Sequence, residues 1–257
     1  MKMTHSIAKV LGLLVVALAP VALVHANALT MTYYTVATTD QDVNHLAGGS
    51  FDNEVQALLG PNSLPVLNTA EFGCTSNCFT ATPLPRDVTS TGELTWWSPA
   101  LNSNVTQTST SNVSLPFSVP TNFFPPNGTG STDANGFQSA VLSGTLNVPT
   151  EEKISFNIGA DDAAFAYLDG TIVCSLGGVH PITTGECVTP FDIAAGAHTL
   201  SVFFVDLNVV QSGFTFGITT TGITTVPTSV PEPAELGLFG AGLALIGLLV
   251  GVRRRIS

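Results

Sequence analysis

Charge is what this sequence has least of. Charged residues fill 10% of its 257 positions, against the ~25% of an ordinary soluble domain. Cations are the scarcer sign, with seven Lys and Arg facing eighteen Asp and Glu. Most of the basic residues sit at the two ends: Lys2, Lys9, Arg253, Arg254 and Arg255. Between residues 27 and 231 only Arg86 and Lys153 stand against sixteen acids, a net charge of −14. Such a surface repels phosphate backbones, which argues against a nucleic-acid partner. It suits hard cations such as calcium, or plain mutual repulsion between copies. A phosphate loop, a dinucleotide fingerprint and a nucleophile elbow are also missing, so the sequence offers no enzyme motif. No stretch from 27 to 220 sustains helical periodicity; only Glu54 to Leu59 reads as a short helix.

What is present organises the chain into four parts. Residues 1–26 have the form of a signal peptide: Lys2 and Lys9, an apolar run from Val10 to Val24, and the small-residue site Val24-His25-Ala26. Cleavage is expected after Ala26, with Ala28 as the alternative. At the other end Val230-Pro231-Glu232-Pro233 precedes an apolar stretch from Leu236 to Val252 and then Arg253-Arg254-Arg255. Those seventeen residues, at a helical rise of about 1.5 Å each, just reach across a hydrocarbon core. The arginines would hold the tail on the cytoplasmic side. Residues 221–233, rich in Thr and Pro, read as a stalk.

Triplet, helix and basic tail together resemble the PEP-CTERM sorting signal of Gram-negative bacteria. That resemblance implies a particular route. The chain would be exported, anchored transiently in the inner membrane by residues 234–257, recognised by an exosortase, and passed to the cell surface or exopolysaccharide matrix.

The body, residues 27–220, reads as all-β. In Ile154-Ser155-Phe156-Asn157-Ile158 the apolar residues alternate, as they do in Phe214, Phe216 and Ile218. Ala163 to Leu168 and Thr171 to Ser175 flank Asp169-Gly170, a type I′ hairpin signal. His198 to Leu207 is a further apolar strand. Short strands punctuated by Gly, Pro and Asn predict an antiparallel sandwich. Four cysteines, Cys74, Cys78, Cys174 and Cys187, allow three pairings in an oxidising compartment. Cys74–Cys78 would staple one loop and Cys174–Cys187 would close another. A four-thiolate zinc site is disfavoured, since only the first pair has zinc-ribbon spacing.

The landmarks also resemble the fibro-slime family, related to the protective-antigen-type, jelly-roll-like β-sandwich. They are Trp96-Trp97 followed by Asn102 or Asn104, then Phe123-Phe124-Pro125, Gly159-Ala160-Asp161-Asp162, Leu176-Gly177-Gly178-Val179-His180, and Gly196-Ala197-His198-Thr199-Leu200 with Phe203-Phe204. The Cys174–Cys187 loop departs from the family pattern.

Asp161 and Asp162 are the leading site candidates. Neighbours in a strand point to opposite faces, so the two can share a cation only in a turn or across a cis peptide. Lectins with protective-antigen-type domains resemble the second arrangement. By that resemblance Asp161 and Asp162 would hold calcium against sugar hydroxyls, with Asp206 and Asn208 as loop ligands. Calcium is the only cofactor these residues suggest. His180 and His198 have no nucleophile or orienting acid beside them and read as structural. Trp96 and Trp97 read as core, at least one of them by alternation. The expectation is an exported matrix or surface protein that acts by binding rather than turnover. A calcium-dependent glycan-binding module is the alternative.

Overall fold

The computed structural model describes residues 27–228 apart from 45, 47–48, 52, 73–86, 126–132, 184 and 210. The expected signal and anchor segments, Val230 to Pro233, Arg253 to Arg255, Cys74 and Cys78 lie outside those residues. Among the described residues no helix is long and apolar enough to cross a membrane.

Among the described residues, thirteen strands and one short helix follow in order. The first half holds β1 (Ala28–Val36), β2 (Gly49–Phe51), α1 (Thr69–Phe72), β3 (Val105–Ser114), β4 (Phe117–Val119) and β5 (Phe137–Val148). The second holds β6 (Glu152–Ile154), β7 (Phe156–Asp161), β8 (Ala163–Leu168), β9 (Thr171–Val179), β10 (Phe191–Ile193), β11 (Gly196–Val205), β12 (Gly213–Ile218) and β13 (Thr224–Pro227). All pairings are antiparallel. An eight-stranded sheet runs β2-β9-β8-β11-β5-β1-β3, with β13 also paired to β5. A three-stranded sheet runs β4-β12-β7, and β10 pairs with β6. The molecule is the all-β antiparallel sandwich expected.

Period-two patterning explains the layers. One face of the large sheet contributes Leu29, Met31, Ala140, Leu142, Ala164, Ala166, Val202 and Phe204 to a core. Phe156, Ile158, Ala160, Phe214 and Phe216 meet them from the small sheet. The opposite face of the large sheet is also covered. Phe165, Tyr167, Phe203 and Val205 pack there against Leu64, Leu67, Leu94, Trp96 and Trp97 from the long connection between β1 and β3. Strand β8, the continuous apolar run Ala163 to Leu168, is therefore buried on both sides, as such runs usually are.

Between β8 and β9, Asp169 and Gly170 take φ of 50° and 77°, the signs a type I′ turn needs. Both tryptophans are buried, at 0% and 3% exposure, so neither offers a stacking platform. Trp96 Nε1 donates to Asp42 Oδ2, and Trp97 Nε1 donates to the Phe204 carbonyl.

Three expectations change. Glu54 to Leu59 is not helical. Its backbone groups go to other segments, with Gln56 N–H donating to Val66 O and Leu59 N–H to Gly170 O. The run Ile154 to Ile158 is split at Ser155, so that β6 pairs with β10 while β7 pairs with β12. Part of the expected stalk belongs to the body. Thr224–Pro227 pairs with Gly144–Asn147 of β5, continuing the edge that β1 leaves at Ser143. Ile223 and Thr225 are buried there, and Thr225 Oγ1 donates to Ala28 O.

Candidate functional site

The chain passes between the two sheets twice at neighbouring points. Asp161 ends β7 opposite Gly213 in the small sheet, while Ala163 begins β8 opposite Val205 in the large one. The Asp161–Asp162 dipeptide is the first crossing, and its peptide bond is cis. Residues 206–209 and 211–212 belong to the second crossing, from β11 to β12. Val179 at the end of β9, with His180 and Pro181 after it, lies beside both.

These three segments enclose an open cavity of about 300 Å³, lined by Asp161, Asp162, Val179, His180, Pro181, Asn208, Val209 and Gln211. Asp162 Oδ2 accepts the backbone N–H of Leu207 at 2.6 Å. Burial pushes the Asp162 carboxyl up to about 8, with the Leu207 N–H opposing and the charge of Asp161 adding to the rise. Burial also raises Asp161, against the charge of His180 and the N–H of Ile182. His180 Nδ1 lies 3.2 Å from the carbonyl of Pro181.

Asn208 lines the cavity, whereas Asp206 is fully buried and outside the lining. Burial raises the Asp206 carboxyl well above its ordinary value, reinforced by the charges of Asp133 and Asp162 and by a hydrogen bond with Asp133. Asp206 Oδ1 accepts the backbone N–H of Asn208 at 3.3 Å, tying this carboxyl to the second crossing.

The donors at the cavity are carboxylate and amide oxygens, the hard-ligand chemistry of calcium, with Asp161, Asp162, Asn208 and Gln211 in reach of one space. Two carboxylates forced together against their own repulsion would be relieved by a cation there. The residues fit the ion.

A second acidic group is formed by Asp40, Asp42 and Asp87. Each places an oxygen within 4.8 Å of the others, close enough to hold a metal ion. Protein donors reach each of these carboxylates, although Asp87 Oδ2 is buried with no hydrogen-bond partner. Asp40 accepts from Asp42 N and Asn102 Nδ2, Asp42 from Trp96 Nε1 and Asp87 N, and Asp87 from Gln41 Nε2. They pin the loop that covers the large sheet.

His198 is remote from the cavity and pairs with Asp169. Cys174 and Cys187 form a disulfide with Cα atoms 5.7 Å apart. His180, Val209 and Gln211 were not expected at the site. The Gly177-Gly178-Val179-His180 segment was legible as a landmark, but its proximity to Asp161 depends on how β9 is placed beside the crossing.

No protein-family model matches the sequence, and no curated protein does. Solved structures show partial likeness. The PA14 domain of the antifreeze protein MpAFP is 16% identical with a TM-score of 0.30, covering 37% of this chain and 55% of that one. A PA14 sugar-binding domain from an RTX adhesin is 19% identical with a TM-score of 0.27, covering 32% and 44%. An α-xylosidase from Xanthomonas citri is 12% identical with a TM-score of 0.34, covering 76% and 23%. The chain spans about half the length of the PA14 chains it matches.

Proposed function

We propose that this protein acts outside the cell by binding, and that its cavity recognises sugar hydroxyls through a calcium ion held by Asp161, Asp162 and Asn208. The observation that carries this reading is that two consecutive aspartates and an asparagine 46 positions further on line one open cavity. A cation bound there would neutralise the carboxylates and offer remaining coordination positions to vicinal hydroxyls. Val179, Pro181 and Val209 supply apolar wall beside them, the mixture of a few polar groups and apolar lining that small-ligand sites use. His180 hydrogen-bonds a neighbouring carbonyl, and no Ser, Thr, Cys or Lys stands among the described lining residues with it. That favours binding over turnover.

Calorimetry with calcium on wild type and Asp161→Ala, followed by a glycan array with and without chelator, tests this. Heat and chelator-sensitive glycan signals in wild type alone are expected. Absence of calcium heat at millimolar concentration rejects it.

We further propose delivery to the surface or polysaccharide matrix of a Gram-negative cell by an exosortase acting on residues 230–257. The order Pro231-Glu232-Pro233, apolar run, Arg253-Arg254-Arg255 supports it. Deleting 230–257 should release the protein to medium or periplasm; unchanged surface retention would reject this route.

A further inference from the structure

We propose that β3 is a self-association edge, through which two copies of this chain join their large sheets antiparallel about a twofold axis near Asn112. Strand β3 ends the eight-stranded sheet and, among the described residues, pairs with β1 alone. It is ten residues long, while the strand at the opposite end of that sheet, β2, has three. A long unpaired edge is a template for another strand, and proteins usually guard one with Lys, Pro, inward charge or a bulge. This edge has no Lys, Pro or charged residue. Its single irregularity, a register shift at Tyr33/Tyr34, leaves Ser109–Ser114 as a regular run.

The direction of the free hydrogen-bonding groups follows from the pairing on the other side. Leu115 N–H donates to Asn27 O across the β1–β3 ladder. In an antiparallel pair such residues alternate with ones whose N–H and C=O point away. Counting back through the regular run, Thr110, Asn112 and Ser114 present theirs outward. Those three positions are self-complementary. With Asn112 opposite Asn112 of a second copy, Thr110 falls opposite Ser114 and Ser114 opposite Thr110. All outward groups of the run are then paired, and the contact closes as an isologous dimer.

Charge decides which occupant fits. The body carries −14 between residues 27 and 231, so copies repel one another over most approaches. The stretch 94–132, which includes β3 and β4, has no Asp, Glu, Lys, Arg or His, and neither does 27–39, which includes β1. This long edge therefore lies where two acidic copies meet with least repulsion. A cationic partner would find nothing to pair with there. The cross-strand neighbours, Asn with Asn and Thr with Ser, are neutral hydrogen-bonding pairs of the kind that support sheets.

The test uses the full chain in mild detergent, which keeps its apolar ends apart, with mass read by light scattering after subtraction of the micelle. Wild type is expected as a dimer. Asn112→Pro removes an outward donor and leaves the backbone ladder to β1 in place, losing on that side only the side-chain bond from Thr30 Oγ1, and should give a monomer with an unchanged far-ultraviolet spectrum. Asn112→Cys places two thiols at a directly opposed pair and should yield a reducible covalent dimer. Thr106→Cys, equally exposed but off the axis, should not. A monomeric wild type overturns the proposal and leaves the edge to a strand from another chain. So does a dimer that survives Asn112→Pro, or crosslinking through Asn112→Cys no greater than through Thr106→Cys.

Discussion

Asp162 Oδ2 accepts the backbone N–H of Leu207 over 2.6 Å, so one crossing between the sheets is bonded directly to the other. Leu207 is fully buried, and its N–H would have no water to turn to. Asp162→Ala is therefore expected to destabilise the fold by about 1–3 kcal/mol, the usual effect of orphaning a buried donor. Asp162→Asn keeps an acceptor and should lose less. Urea denaturation of both variants checks the order.

Cys174 and Cys187 lie thirteen positions apart and close a loop leading from β9 toward β10. Constraining a loop of that size in the unfolded chain contributes about 3 kcal/mol. Replacing both by Ser should lower the midpoint of thermal unfolding clearly. Adding reductant to wild type should lower the midpoint at least as far.

Two glycines separate conformational from steric demand. Gly170 has φ of +77° with nothing within 4 Å of a built Cβ, so Gly170→Ala meets only the left-handed backbone penalty, about 1–2 kcal/mol. Gly178 has φ of +92°, and a Cβ there would lie 2.0 Å from Gly49 O. Gly178→Ala must separate β9 from β2 and should be several-fold more destabilising in the same denaturation assay.

His198 lies between two acceptors, Asp169 Oδ2 at 2.7 Å and Ala194 O at 3.0 Å. Asp169 raises its imidazole above the ordinary value, with Ala194 O assisting and burial opposing. A raised folded value means the folded protein holds the proton more tightly. The stabilisation is complete below the unfolded imidazole value of about 6.5 and disappears as pH rises through the folded one. The difference in Tm between wild type and His198→Gln should accordingly be largest near pH 5.5 and shrink toward pH 8.5.

Strand chemistry was legible wherever one short segment carries its own instruction. Asp169-Gly170 determines a tight turn because both residues tolerate positive φ, and the alternation Phe214, Phe216 shows which face is covered. The run Ala163 to Leu168 marks a strand buried on both sides. Glu54 to Leu59 misleads, since its local pattern suits a helix while Val66 and Gly170 compete for its backbone groups. Thr224–Pro227 looks like linker by composition, yet β5 extends past the end of β1 and offers it an open ladder.

The sequence alone determined an acidic, charge-poor, all-β body bracketed by two apolar ends, because composition and period-two burial are properties of the chain itself. It also singled out Asp161-Asp162 as unusual. Only the tertiary structure decided that the pair faces His180, Asn208, Val209 and Gln211 across one cavity, that Asp206 is buried outside its lining, and that β3 is left as an edge. Each depends on which distant strands become neighbours, and no local preference encodes that when the ladders join residues a hundred positions apart.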